Sequence, residues 1–296
     1  MRHDAIIVGG SFAGLSAAMY IARARRSVCV VDAGAPRNRF AAQSHGFFAQ
    51  DGSSPRAMLA AARAQVAAYP TVSLVDGEAV AARAQDDGFL VELADGRTLE
   101  GARLVLAFGL ADELPPLPGL AERWGASVIH CPYCHGFEVA DRRLGVLNVS
   151  PMSVHQAALI AEWGPTTFYL DGGELEPAAA ADLAARGVRI ESAKVEALHG
   201  EGSGLSAIAL ADGRSDPLDA LFIGPRNHLG SPIAEQLGCD MDQGPLGAIV
   251  KTDAWKMTTV PGVYAAGDIS RGAHSVTWAS ADGVTAGVAV HRSLVF

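Results

Sequence analysis

Hydrophobic positions along this 296-residue chain fall into short β-branched runs and alanine-rich stretches at helical spacing, alternating from the start. Ala5-Ile6-Ile7-Val8 is a continuous apolar run of strand length that ends at Gly9-Gly10. Ala, Leu, Met and Ile then recur at helical spacing to about residue 24. Val28-Cys29-Val30-Val31 predicts a second buried strand, closing on Asp32. Strand, glycine turn, helix and strand within roughly 30 residues make a βαβ unit. Residues 57–68 predict a helix, and turn signals at Asp86-Asp87-Gly88 and Asp95-Gly96 predict two hairpin-like segments. Residues 104–108 read as another buried strand, running into Gly109.

Pro115, Pro116, Pro118 and Gly119 then interrupt the pattern, as a domain boundary does. A second strand–turn–helix–strand follows, at 144–147, 151–163 and 166–170, with a helix around 177–186. The apolar run Leu221-Phe222-Ile223 ends at Gly224-Pro225, a second boundary. Beyond it the pattern predicts one further strand, at 262–268, and a closing helix rich in Ala and Val. Two βαβ units in one chain form a weak internal repeat and predict two α/β domains of related fold. The expected division is 1–111 and 226–296 for one domain and 112–225 for the other.

Composition narrows the function classes. A hydrophobic content of 49% supports packed cores and excludes wholesale disorder. With 23 basic and 32 acidic residues the net charge is −9, the wrong sign for tracking a phosphate backbone, so nucleic acid is not an expected partner. No apolar run reaches the roughly 18 residues of a bilayer span. The apolar run at Ala5 leaves no room for a signal peptide, and four cysteines are too few for a secreted disulfide framework. The expectation is a cytoplasmic protein with no membrane partner.

Two places carry chemistry. At the first glycine turn, Gly9, Ser11 and Gly14 occupy the three key positions of a dinucleotide fingerprint, with Gly10 and Ala13 completing the turn. Gly9 allows the tight turn, Gly14 allows close helix–strand packing, and the small Ser11 leaves its amide able to point at a phosphate. Asp32, at the end of the next strand, is placed to bind ribose hydroxyls. An ordinary strand–turn–helix without a ligand is the alternative. Gly267-Asp268, after the strand-like Val263-Tyr264-Ala265-Ala266, tips the balance towards FAD. The second place is Cys131-Pro132-Tyr133-Cys134-His135-Gly136-Phe137-Glu138. A C-x-x-C pair can close a small disulfide, and a neighbouring imidazole can stabilise a thiolate or move its proton. Histidines stand on both sides, at 130 and 135. A zinc site needs two more ligands, which Cys29, Cys239 and His155 do not supply at ligand spacing, so no metal is expected. Inert structural cysteines remain the other alternative.

Together these motifs resemble the low-molecular-weight thioredoxin reductases, within the pyridine nucleotide-disulfide oxidoreductase family. The likeness spans nearly the whole chain, from the first glycine turn through Leu106-Ala107-Phe108-Gly109 and the C-x-x-C to Tyr264-Ala265-Ala266-Gly267-Asp268. It implies two Rossmann-like, three-layer ββα dinucleotide-binding domains, the second inserted into a split FAD domain. It implies an FAD-dependent disulfide oxidoreductase, with Cys134 as the flavin-facing thiol and Cys131 as the interchange thiol. Gly9, Gly10, Ser11, Ala13, Gly14, Asp32, Gly109, Gly267 and Asp268 are the implied FAD-binding residues, and a homodimer is the implied assembly. Where the family usually has an acid after the second cysteine, this chain has His135. The Cys-x-x-Cys-His-Gly-Phe-Glu version resembles the branch containing the gliotoxin and holomycin dithiol oxidases. Glu138 is a candidate to orient a histidine or to make an ordinary surface ion pair. His45, in a loop the resemblance brings near the flavin, is either a contact residue or a satisfied loop histidine. His274 and Trp278 precede the closing helix, whose N-terminus the resemblance points at the flavin ring.

The inserted domain departs from the family where NADPH should bind. Asn148, Ser150 and Ser153 stand where Gly, Gly and a small residue are expected, and Asp171 ends the next strand without an arginine cluster after it. NADP(H) or NAD(H) binding is therefore expected to be weakened or lost, with structural drift as the alternative. The expected activity is oxidation of a small-molecule dithiol to a disulfide through Cys131 and Cys134, with flavin and oxygen as acceptors. Reduction of a thioredoxin-like protein, driven by NAD(P)H or a protein donor, is the second reading. A non-catalytic redox sensor is the third.

Overall fold

The computed structural model describes residues 2–296, which divide into two compact units. One gathers the chain up to Arg39 with Phe47–Ala111 and Asn227–Phe296; the other holds Phe40–Gly46 and Asp112–Arg226. The sequence leaves 40–46 within the N-terminal segment. The structure groups them with the second unit, where Gly125 packs against Phe40 and His45 lies beside Glu138.

The first unit is built on parallel strands in the order Val72–Asp76, Val28–Asp32, Arg2–Val8, Thr98–Leu106 and Val263–Ala265. Ile7 lies opposite both Val30 and Val105, and Tyr264 lies opposite Val105. Residues 5–8, 28–31, 104–106 and 263–265 of these strands are buried without a break, which is why they read as unbroken apolar runs. Thr98–Leu106 shares its second edge between two neighbours. Its first half pairs antiparallel with Gly88–Leu93, and its second half pairs parallel with Val263–Ala265. Gly88–Leu93 in turn pairs with Ala79–Gln85, completing the meander that the two turn signals predict.

Helices Phe12–Arg23 and Val276–Ser293 pack face to face through glycine. A Cβ on Gly283 would fall 2.1 Å from the Ala13 carbonyl oxygen, and one on Gly287 would fall 2.7 Å from that of Ala17. Residues 226–296 hold more than the one predicted strand. Asn227–Leu229, Met241–Gln243 and Ala248–Val250 are strands as well, and Ile233–Gln236 is a single helical turn. Strands of three residues are too short to leave a periodic signature.

The second unit repeats the plan. Its parallel sheet runs Arg189–Glu191, Thr166–Tyr169, Leu144–Leu147, Ala220–Phe222 and Val128–Ile129, and an antiparallel meander comprises Val195–His199, Ala207–Leu210 and Ser215–Pro217. Phe168, Tyr169 and Phe222 are fully buried in it. Each such apolar side chain contributes about 1.5–3 kcal/mol relative to its exposed state. The helix expected at 151–163 is shorter, Ser153–Ile160, and continues as turns to Trp163. No helix among the described residues is long and apolar enough to cross a membrane.

Candidate active site

In the first unit the expected cofactor residues converge at the carboxyl ends of the parallel strands. Gly9 has φ +108°, and a Cβ there would lie 2.2 Å from the Ala107 carbonyl oxygen. A Cβ on Gly14 would lie 1.8 Å from the Gly9 carbonyl oxygen, so neither position admits a side chain. Asp32 Oδ1 accepts from the amides of Gly10 and Gly34, both at 3.2 Å, and Arg63 lies 3.4 Å from Oδ2. Ser11 is the N-cap of Phe12–Arg23 but makes no side-chain cap bond, and the first turn holds no acid. That helix end is therefore suited to an anion.

Gly267 has φ +82°, and a Cβ there would meet that of Ala13 at 3.0 Å. Asp268 accepts from Arg37 Nη1 at 3.2 Å, and the same nitrogen lies 2.8 Å from His274 Nδ1. Gly109 has φ +73° with open space beside it, so conformation rather than crowding selects glycine there. A helix N-terminus without an acid, a strand-end carboxylate and glycines that let backbone approach closely fit a flavin dinucleotide. Arg37 and Arg63, which engage the two acids, carried no sequence signal, because each becomes a site residue only through contacts across the fold.

The dithiol lies in the second unit. Cys131 is the N-cap of a one-turn helix, Pro132–His135, and its carbonyl accepts from the amides of Cys134 and His135. This turn brings the two sulfurs to 2.7 Å. Gly136 follows because a Cβ there would strike Trp163 Nε1 at 2.8 Å, and Tyr133 packs edge-on to the same indole.

The structure separates the two flanking histidines. His130 Nδ1 is 3.1 Å from the Ile223 carbonyl oxygen, and Gln156 Nε2 donates to the His130 carbonyl at 2.8 Å. His135 instead faces His45 edge to face, with ring centroids 6.3 Å apart, while His45 Nε2 lies 3.4 Å from Glu138 Oε1. Burial holds the His135 imidazole below its ordinary range; Glu138 opposes that shift and His45 adds to it. Among the described residues no group of three or more His, Cys, Asp or Glu is arranged to hold a metal ion. Cys29 is fully buried on its strand, where desolvation pushes its thiol to about 11, and His155 is exposed.

At the altered second fingerprint, the fully buried Ser153 turns its hydroxyl back on the turn. Its Oγ accepts from the amides of Val149 and Ser150, both at 3.1 Å. These are amides that a dinucleotide pyrophosphate uses at such a turn. Asp171 Oδ1 accepts from the Val195 amide at 2.8 Å. On the neighbouring strand Glu191 is gripped by both terminal nitrogens of Arg214, at 2.7 and 3.0 Å, and Arg189 pairs with Asp216 at 2.5 Å. Both arginines are thus committed to acids.

A family model described as pyridine nucleotide-disulphide oxidoreductase matches residues 3–283. The thioredoxin reductase tcpT of Claviceps purpurea is 33% identical over 281 residues, covering 90% of this chain and 86% of that protein. Among solved structures, an oxidoreductase from Agrobacterium tumefaciens is 46% identical with a TM-score of 0.95, covering 100% of this chain and 99% of that one. A structure titled HlmI is 37% identical with a TM-score of 0.92, covering 99% of this chain and 93% of that one.

Proposed function

Because the chain belongs to the pyridine nucleotide-disulfide oxidoreductase family, as a thioredoxin reductase-like flavoprotein, we propose that it oxidises a small-molecule dithiol to a disulfide through Cys131 and Cys134. The observation that carries this reading is the contrast between the two chemical sites of the second unit. The cysteine pair is intact, while the turn for a second nucleotide is filled by the Ser153 hydroxyl.

With the pair first oxidised to the Cys131–Cys134 disulfide, a substrate thiolate attacks Cys131 Sγ, the bond to Cys134 breaks, and the electron pair leaves on Cys134. The second substrate thiol then attacks the substrate sulfur of the mixed disulfide and releases Cys131. The substrate has lost two electrons and two protons, and the cysteine pair, reduced from a disulfide to two thiols, has gained both. His135, adjoining Cys134 and kept neutral by burial, accepts the proton of the attacking thiol and returns it to the Cys134 thiolate. FAD, when bound, would supply a two-electron acceptor for the reduced cysteines, one that dioxygen can reoxidise with hydrogen peroxide as product. Gly9, Gly10, Ser11, Ala13, Gly14, Asp32, Gly109, Gly267 and Asp268 would hold it. Tyr133 and Phe137, 73% and 85% exposed beside the cysteines, favour an apolar substrate.

The reading is tested by oxygen consumption and peroxide release with dithiothreitol and with dihydrolipoamide. Dithiol-dependent peroxide, lost in Cys131→Ser, is expected. Oxygen uptake that requires NADPH, together with reduction of a thioredoxin, would move the assignment to the second reading, which the names of the relatives favour.

A further inference from the structure

We propose that Asp282 anchors a latch that holds the strap Gly267–Arg271 on the closing helix, so that FAD meets a cradle already in shape. The inference rests on the reading of the first unit as the FAD site and deepens it. Lys256, Asp282 and Arg271 are positioning residues, acting through the strap rather than on the flavin.

Asp282 lies in the second turn of Val276–Ser293, and its side chain is 7% exposed. A carboxylate so deep needs counter-charge. Two cations supply it, each from a different stretch of chain. Lys256 Nζ is 2.9 Å from Oδ1, and Arg271 Nε is 3.0 Å from Oδ2. Lys256 precedes the strand Val263–Ala265, and its carbonyl accepts from the Ala265 amide at 2.9 Å. Arg271 ends the turn that begins at Asp268, and its guanidinium also lies over the Trp278 ring, one turn earlier on the helix. One carboxylate thus joins the chain entering Gly267-Asp268, and the chain leaving it, to the closing helix. The lysine reaches the strap itself as well: Nζ lies 3.4 Å from Ser270 Oγ, which donates to the Gly267 carbonyl at 3.1 Å.

The backbone at Lys256 bears this out. Its amide donates to the Asp253 carbonyl at 3.1 Å, and the Met257 amide donates to Asp253 Oδ1 at 2.9 Å, closing a tight turn. That turn sets Lys256 at φ +67°, a left-handed conformation that glycine or asparagine adopts more readily. The turn needs a left-handed residue; Asp282 needs a cation, and the chain meets the second need at the expense of the first. The strap has little room to shift. A Cβ on Gly267 would lie 3.0 Å from that of Ala13 and 3.7 Å from that of Ala279 on the closing helix. A displaced strap therefore carries Gly267 and Asp268 out of register with the first glycine turn.

The test uses the FAD-loaded protein with Asp282→Asn, Lys256→Met, the conservative Asp282→Glu, and Ser270→Ala, which cuts the link from Lys256 to Gly267 without leaving a buried charge unpaired. Each is dialysed against graded FAD, with bound flavin read from its absorbance, and is digested briefly with trypsin to map cleavage after Arg271. A strap in shape only about one-tenth of the time weakens the apparent FAD affinity about tenfold. That loss is expected in Asp282→Asn and Lys256→Met, with new cleavage after Arg271 and unchanged far-ultraviolet circular dichroism. Ser270→Ala weakens FAD binding about threefold, and Asp282→Glu recovers most of the wild-type affinity. Wild-type affinity and a protected Arg271 in folded Asp282→Asn and Lys256→Met overturn the latch and leave the FAD reading standing. Should those two variants fail to fold, wild-type affinity in Ser270→Ala overturns it. A wild-type protein that binds no FAD overturns the latch and the cofactor reading together.

Discussion

At the scale of single residues, the site is decided by what each polar group already holds. Two histidines flank the cysteines in sequence, and only their partners tell them apart: His130 is tied to backbone, whereas His135 meets a second imidazole and a carboxylate. His135→Gln is expected to slow dithiol-dependent flavin reduction about a hundredfold, the usual contribution of a general base. The pH dependence has a definite sign. Burial lowers the His135 pKa, so the imidazole is neutral and competent at neutral pH, and the rate falls only as pH drops through that lowered value. In His135→Gln this acid limb disappears from the pH–rate profile, which a pH series of stopped-flow traces would reveal. The glycines, Asp32 and the cysteine pair are legible in sequence because their chemistry is local. The His45–Glu138 pairing is not, since it joins residues far apart in the chain and nothing near His45 in sequence points to Glu138. Nor is the back-bonded Ser153 hydroxyl: the sequence gives the substitution but not the two amides it occupies.

At the scale of elements, strand stretches buried without a break are readable from their apolar runs, and the first βαβ unit follows that pattern closely. The short strands after residue 226 are not readable, because a three-residue strand held by tertiary contacts has no period of its own. The contact between Phe12–Arg23 and Val276–Ser293 depends on backbone touching backbone. Gly283→Val would push the closing helix away from Ala13, the residue whose Cβ also lies beside Gly267. Protein purified from this variant should carry FAD well below stoichiometry, read from the ratio of flavin to protein absorbance, and should regain little on adding FAD. Full occupancy would show that the two helices can separate without disturbing the nucleotide cradle.

At the scale of the whole molecule, two units of the same three-layer plan have diverged in what the turn after the first strand of each βαβ unit can hold. The first keeps a helix end without an acid; the second closes its turn with a hydroxyl and commits Arg189 and Arg214 to acids. That the plan repeats is visible in the sequence, since both βαβ units leave the same order of apolar strand, turn, helix and strand. That residues 40–46 pack with the second unit is not, because the excursion interrupts no pattern. Electrons are therefore expected to enter from thiols rather than from a nicotinamide. Mixing the oxidised, FAD-loaded protein under nitrogen with dithiothreitol in one syringe experiment and with NADPH or NADH in another tests this most directly. Rapid bleaching of the flavin by the dithiol, with slow and unsaturable bleaching by either nicotinamide, is expected. Fast, saturable bleaching by NADPH, with none by dithiols, would contradict it.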